Sequence, residues 1–211
     1  MAIHWNILDE KRRGILPFLK GVTGGDFYLA GGTGLALQLG HRDSVDFDFF
    51  IAKDYDTSVF VAKIEETFKN HNIKLTQREA NTLSYTIDDT ISISFFGHNH
   101  APIQPLVETE YFPLASIADI GCMKFTAITA RSVEKDYVDL YFILQQASLR
   151  DLLAFCVQKY PTLDAAVILK SLVYFDDILH EPIIFKEGHE VPFAKIKAFL
   201  QEKVTDYFKN D

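Results

Sequence analysis

Cysteine is scarce: Cys122 and Cys156 are the only two among 211 residues. Both fall inside apolar, helix-like stretches without metal-ligand spacing, which points to buried reduced thiols and away from a disulfide framework or a zinc site. No apolar run approaches the ~20 residues a membrane helix needs. The opening "MAIHWNILDEKRRG" carries charge too early for a secretory signal, so we expect a cytoplasmic protein with no membrane partner. Basic residues are outnumbered too, 21 Lys and Arg against 29 Asp and Glu, for a formal net charge of −8. That balance excludes a chain that coats nucleic acid through bulk electrostatics, but not a local basic cleft or a small anionic substrate. Lys11, Arg12, Arg13, Lys20, Arg131 and Lys135 are the candidates for such a cleft. Internal repeats, low-complexity tracts and flexible linkers are missing as well.

The chain does have aromatic core material, with 18 Phe and 9 Tyr in a composition that is 48% hydrophobic. Its first half alternates element types. "FYLA" reads as a short strand ended by Gly31 and Gly32, and "TGLALQLG" as a helix opened by Thr33 and closed by Gly40. "SVDFDFFIA" reads as a strand, and "TSVFVAKIEETFKNH" as a helix capped by Thr57 or Ser58. Three more strand-like pieces follow, "IKLTQREA", "LSYTID" and "TISISFFG", with Asp88-Asp89 as the last hairpin turn. Beyond Pro113 the apolar spacing becomes helical, in "ASIADIGCMKFTAITA", "SVEKDYVDLYFILQQ", "LRDLLAFCVQKY", "DAAVILKSLVYFDDIL" and a last helix from about Phe193. The expected class is α+β: a mixed sheet with flanking helices over 1–112, and a helical domain packed on it over 113–211.

Chemistry concentrates in "GGTGLALQLGHRDSVDFDFF", Gly31 to Phe50. Residues two apart on a strand share a face, so Asp46 and Asp48 should project together while Val45, Phe47 and Phe49 face the core. Neighbouring carboxylates repel unless a cation sits between them, and a hard, oxygen-preferring ion such as Mg2+ suits that pair. Gly31 and Gly32 let the backbone approach a ligand closely, and Thr33 with the following amides opens a helix, a natural anion site. Arg42, in the connecting loop, can contact a phosphate or pair with an acid. Either feature alone is more often an exposed sheet face or a plain tight turn. Their order, with turn, helix, short loop and acidic strand in succession, lets both face one pocket. A dinucleotide-binding loop is a poor alternative, since G-x-G-x-x-G spacing is absent.

This string resembles the first motif of polymerase-beta-like nucleotidyltransferases, above all the AbiEii/AbiGii toxin branch. "MKFTAITARSVEKDYVDLYFIL", Met123 to Leu144, is similar to that branch's helical segment. The resemblance implies a nucleotidyltransferase fold and transfer of an NMP group from an NTP to an acceptor hydroxyl, of tRNA or protein, under a cognate antitoxin. It implies that Asp46 and Asp48 ligate Mg2+ or Mn2+, that Gly31, Gly32, Thr33 and Arg42 bind the triphosphate, that Lys124 neutralises phosphate charge, and that Asp136 positions it.

Two points stand beside the resemblance. Many such enzymes carry a third carboxylate on a later strand; "TISISFFG" has Ser92 and Ser94 there, and Asp88 and Asp89 lie in the preceding turn. A catalytically impaired nucleotide-binding or protein-binding relative is therefore the competing reading. Read by itself, "RSVEKDYVDLYFIL" fits a solvated helix face with a Lys135–Asp139 pair at i, i+4. Lys124, set among apolar neighbours, should bury its stem and aim its ammonium at an anion.

Overall fold

A computed structural model describes residues 2–209. The chain divides into Met1–Ser116 and Ile117–Asp211; Met1 and residues 210–211 lie outside the described residues.

The first unit is built on a five-stranded mixed sheet. Helices α1 (Glu10–Gly14) and α2 (Leu16–Thr23) precede β1 (Tyr28–Leu29), α3 (Gly31–Leu39), β2 (Phe47–Ile51) and α4 (Thr57–Thr67). Strands β3 (Ile73–Glu79), β4 (Thr82–Ile87) and β5 (Ile91–Gly97) complete it, in the spatial order β1-β2-β5-β4-β3. β2 and β5 run parallel, and the other pairings are antiparallel. An antiparallel β1–β2 pair is incompatible with the parallel βαβ unit of a dinucleotide loop, which removes that alternative.

Strand alternation sorts the side chains. Phe47, Phe49 and Ile51 of β2, Ile91, Ile93 and Phe95 of β5, and Leu83, Tyr85 and Ile87 of β4 are all buried in one core. Phe49 stacks on Phe95 at 5.4 Å between ring centroids and meets Phe112 edge-on at 5.0 Å, while Phe27 stacks on Phe60 at 4.9 Å. These contacts account for much of the phenylalanine content. The opposite parity carries Asp48, Ser94 and Ser84 in one row across β2, β5 and β4.

Several boundaries move from their sequence-predicted places. α3 begins at Gly31, two residues before Thr33. α4 is capped by Asp56, whose carboxylate accepts from Ser58 N at 2.8 Å, so the cap is neither Thr57 nor Ser58. Residues 113–115 belong with the sheet: Leu29 N donates to Pro113 O at 2.9 Å and Ala115 N to Leu29 O at 2.8 Å. The Asp88-Asp89 turn has positive φ at both residues, +47° and +59°, and with Thr90 it makes a three-residue connection between the paired Ile87 and Ile91.

The second unit is helical: α5 (Ile117–Ala130), α6 (Glu134–Ile143), α7 (Leu149–Lys159), α8 (Ala165–Val173) and α9 (Phe193–Lys209). α8 stops earlier than its apolar spacing suggests, because Leu179 N donates to Ser132 O at 2.7 Å and its carbonyl accepts from Glu134 N at 3.0 Å. A residue tied into that bridge cannot continue a helix. Cys122 and Cys156 are free, fully buried thiols, as expected from the sequence.

Candidate active site

The glycine turn, the loop arginine and the strand acid meet in the first unit. Gly31 opens α3 with φ +62°, and a Cβ built there would lie 2.8 Å from Asp48 Oδ2. A Cβ on Gly32 would lie 2.5 Å from Arg42 Nη2 and 3.2 Å from Ser44 Oγ. A side chain at Gly32 would have to push the Arg42 guanidinium aside, and Gly31 needs the left-handed backbone that glycine adopts without strain. Arg42 is 5% exposed and donates through Nη1 to its neighbour's carbonyl, Asp43 O, at 3.0 Å. No side chain caps the start of α3, so the amide ends of Gly31, Gly32 and Thr33 keep the partial positive charge of a helix N-terminus.

Thr33 is 2% exposed, and its hydroxyl donates to Asp46 O and shares a 2.8 Å hydrogen bond with Ser44 Oγ. Its side chain thus ties the helix start to the acid segment. Ala30 N adds a second tie, to Asp48 O at 3.0 Å. Ser44 is not among the sequence candidates; its place as a small hydroxyl residue between Arg42 and Asp46 is the signal that could have found it.

Asp46 and Val45 differ from expectation. β2 starts only at Phe47, Asp46 is exposed just ahead of it, and Val45 is 49% exposed instead of facing the core. The reason is that both carbonyls are taken by side chains, Asp46 O by Thr33 and Val45 O by Arg12 Nε at 2.8 Å, and so are withdrawn from a strand ladder. Asp48 is half-buried, and its register partner on β5 is Ser94, whose hydroxyl lies 3.1 Å from that of Ser84. Serines thus stand in the row where a third carboxylate would. Asp88 and Asp89 are tied elsewhere, to His71 Nδ1 at 2.8 Å and to Asn72 Nδ2 at 3.1 Å. Among the described residues no group of three or more His, Cys, Asp or Glu could hold a metal ion.

Lys124 and Asp136 lie in the second unit. Lys124 Nζ sits 2.8 Å from Asp136 Oδ1 and 2.6 Å from Asp139 Oδ2; both acids are fully buried, and the lysine side chain is 7% exposed. Arg131 Nε adds 3.1 Å to Asp136 Oδ2. The surface-pair reading of this helix fails, because Lys135 instead pairs with Glu181 at 2.9 Å and Asp139 faces inward. Lys159 and Asp119, both 1% exposed, form another buried pair at 2.5 Å that charge patterning did not reveal. The proposed basic cleft also thins out. Arg12 is bound to Asp9, Lys20 donates to Glu110 O at 2.7 Å, and Arg131 and Lys135 have the acidic partners just named.

The geometry agrees with comparisons to known proteins. The sequence model of the family described as "Nucleotidyl transferase AbiEii toxin, Type IV TA system" matches residues 18–210. Protein aq_aa25 of Aquifex aeolicus (strain VF5) is 34% identical over 195 residues, 88% of this chain and 89% of its own length. Among solved structures, the fold is similar to MenT4, a nucleotidyltransferase toxin of Mycobacterium tuberculosis H37Rv, with a TM-score of 0.59 at 14% identity over 90% of this chain and 81% of that one. It is also similar to JHP933 of Helicobacter pylori, with a TM-score of 0.57 at 16% identity over 99% of this chain and 94% of that one. A match spanning nearly the whole chain places it: the protein belongs to the AbiEii nucleotidyltransferase toxin family and is a nucleotidyltransferase.

Proposed function

We propose that the chain transfers an NMP group from an NTP to an acceptor hydroxyl of tRNA or protein, that the transfer depends on Mg2+ or Mn2+, and that a cognate antitoxin restrains it. The observation that carries this reading is the convergence of Gly31 on Asp48 and of Gly32 on Arg42, since the charged end of each partner lies against the face where that glycine lacks a Cβ. The donor set fits one hard cation: Asp46 and Asp48 would supply carboxylate oxygens, and Asp48 Oδ2 lies against the glycine turn, 2.8 Å from where a Cβ on Gly31 would stand. When bound, such an ion supplies positive charge against the triphosphate.

The residues themselves divide the work. Amides at the start of α3 and the Arg42 guanidinium receive phosphate oxygens, the first through hydrogen bonds and the second through a charged fork. Thr33 and Ser44 keep the acid segment in register with that helix start. An acceptor oxygen then bonds to the α-phosphorus as the bond to the departing pyrophosphate breaks, with the developing charge met by groups already in place. Lys124 and Asp136 enter through the family motif alone.

Incubation with each α-labelled NTP, Mg2+ and total RNA or protein tests the reading. Label should move to one acceptor class, and Asp46→Asn should abolish the transfer with circular dichroism unchanged. NTP binding without transfer or pyrophosphate release would favour the impaired relative, a reading supported by Ser94 in place of an acid.

A further inference from the structure

Arg12 lies ahead of the residues that the family model matches, 18–210, yet it grips the acid-bearing segment. Its Nε donates to Val45 O at 2.8 Å and its Nη2 to Thr90 O at 2.9 Å, while Nη1 pairs with Asp9. Only 11% of the side chain is exposed. Asp9 caps α1 by accepting from Arg12 N at 2.8 Å. Its carboxyl, raised by burial, is pulled below its ordinary range by that backbone bond and by the guanidinium. The arginine is thereby fixed at its own end as well as at the carbonyls it holds.

The same N-terminal stretch holds the other end of the connector between α3 and β2. His4 N donates to Leu37 O at 2.8 Å, and a Cβ on Gly40 would meet the His4 ring at 2.8 Å. Between these grips lie Arg42 and Ser44, and Asp46 follows directly after Val45. Val45 and Asp46 have no strand ladder to fix them. A segment outside regular structure opens locally at low cost unless side chains hold its backbone.

We infer that Arg12 is a positioning residue, whose guanidinium fixes the Val45 carbonyl and so sets Asp46 against the start of α3. The inference rests on the reading above that Asp46 serves the site. A role for Arg12 in gripping RNA conflicts with it, since the donors are directed at carbonyls and at Asp9 within the unit.

The test uses the full chain with Arg12→Ala and Arg12→Lys. Hydrogen exchange is followed over residues 41–48 and, as an internal control, over β3, and Mn2+ binding is read by electron paramagnetic resonance. Arg12→Ala should speed exchange in 41–48 on the order of tenfold, leave β3 unchanged and weaken Mn2+ binding on the order of tenfold. Arg12→Lys keeps a charge for Asp9 but lacks the fork that reaches both carbonyls, so it should fall between wild type and Ala. Unchanged exchange in 41–48, or an equal rise across the whole chain, overturns the inference; if Ala does not fold, the Lys variant decides on the same criterion. If wild type takes up no Mn2+ while Arg12→Ala still loosens 41–48, positioning stands and the metal reading falls.

Discussion

Gly31 shows how a single missing Cβ shapes this site. Alanine there would have to adopt φ +62° and displace Asp48 Oδ2 from 2.8 Å, so Gly31→Ala should cut the transfer rate on the order of 10²-fold through misplacement of the reacting groups. Steady-state kinetics with the labelled NTP checks this, against a melting temperature that shifts by only a few degrees. Lys124 sets the opposite case, where removal is chiefly a stability event. Lys124→Met takes the ammonium away from Asp136 and Asp139, both fully buried, while Arg131 stays beside Asp136. Urea unfolding should register a loss of about 3–5 kcal/mol. Lys124→Arg, which keeps the charge, is the variant in which transfer can be measured without that loss.

At the scale of elements, the β4–β5 hairpin is tied to the end of α4 by His71 and Asp88. The Asp88 carboxyl sits below its ordinary 3.8, chiefly through the hydrogen bond from His71, against a smaller upward pull from burial. A depressed carboxylate contributes stability above its unfolded pKa and loses it as pH falls through the folded value. Asp88→Asn should therefore lower the melting temperature at pH 6 and at neutral pH but less at pH 3, narrowing the difference between pH 6 and pH 3. α5 and α7 bring Cys122 and Cys156 together; a hydrogen bond between the two thiols and burial push the Cys122 thiol up. Neither should react with Ellman's reagent until the protein is denatured, when both should. The same elements show what could be read from the sequence. Alternation exposed the strands, and the Gly-Gly turn followed by D-x-D marked the candidate site, because both are local signals. Val45 and Asp46 misled because their carbonyls go to Arg12 and Thr33, partners 33 and 13 residues away. Lys124's buried stem and its tie to Asp136 were legible, but the inward turn of Asp139 was not: periodicity cannot tell a paired inward acid from an exposed one.

For the whole molecule, charge limits how an acceptor can be held. The chain carries −8, and Arg12, Lys20, Arg131 and Lys135 already have partners. An RNA acceptor would then be gripped through few phosphates. Its KM should rise no more than about tenfold between 50 and 200 mM salt, well short of the ~10³-fold expected for six or more phosphate contacts. The central claim is that the glycine turn and the acid pair form one cation-dependent nucleotide site. Its most direct measurement is amide relaxation by NMR on titrating Mn2+ with a non-hydrolysable NTP. The amides of Gly31 to Gly34 and of residues 46–48 should broaden first, β3 should stay sharp, and Asp48→Asn should abolish the effect. Broadening that begins elsewhere, or that survives Asp48→Asn unchanged, would contradict it.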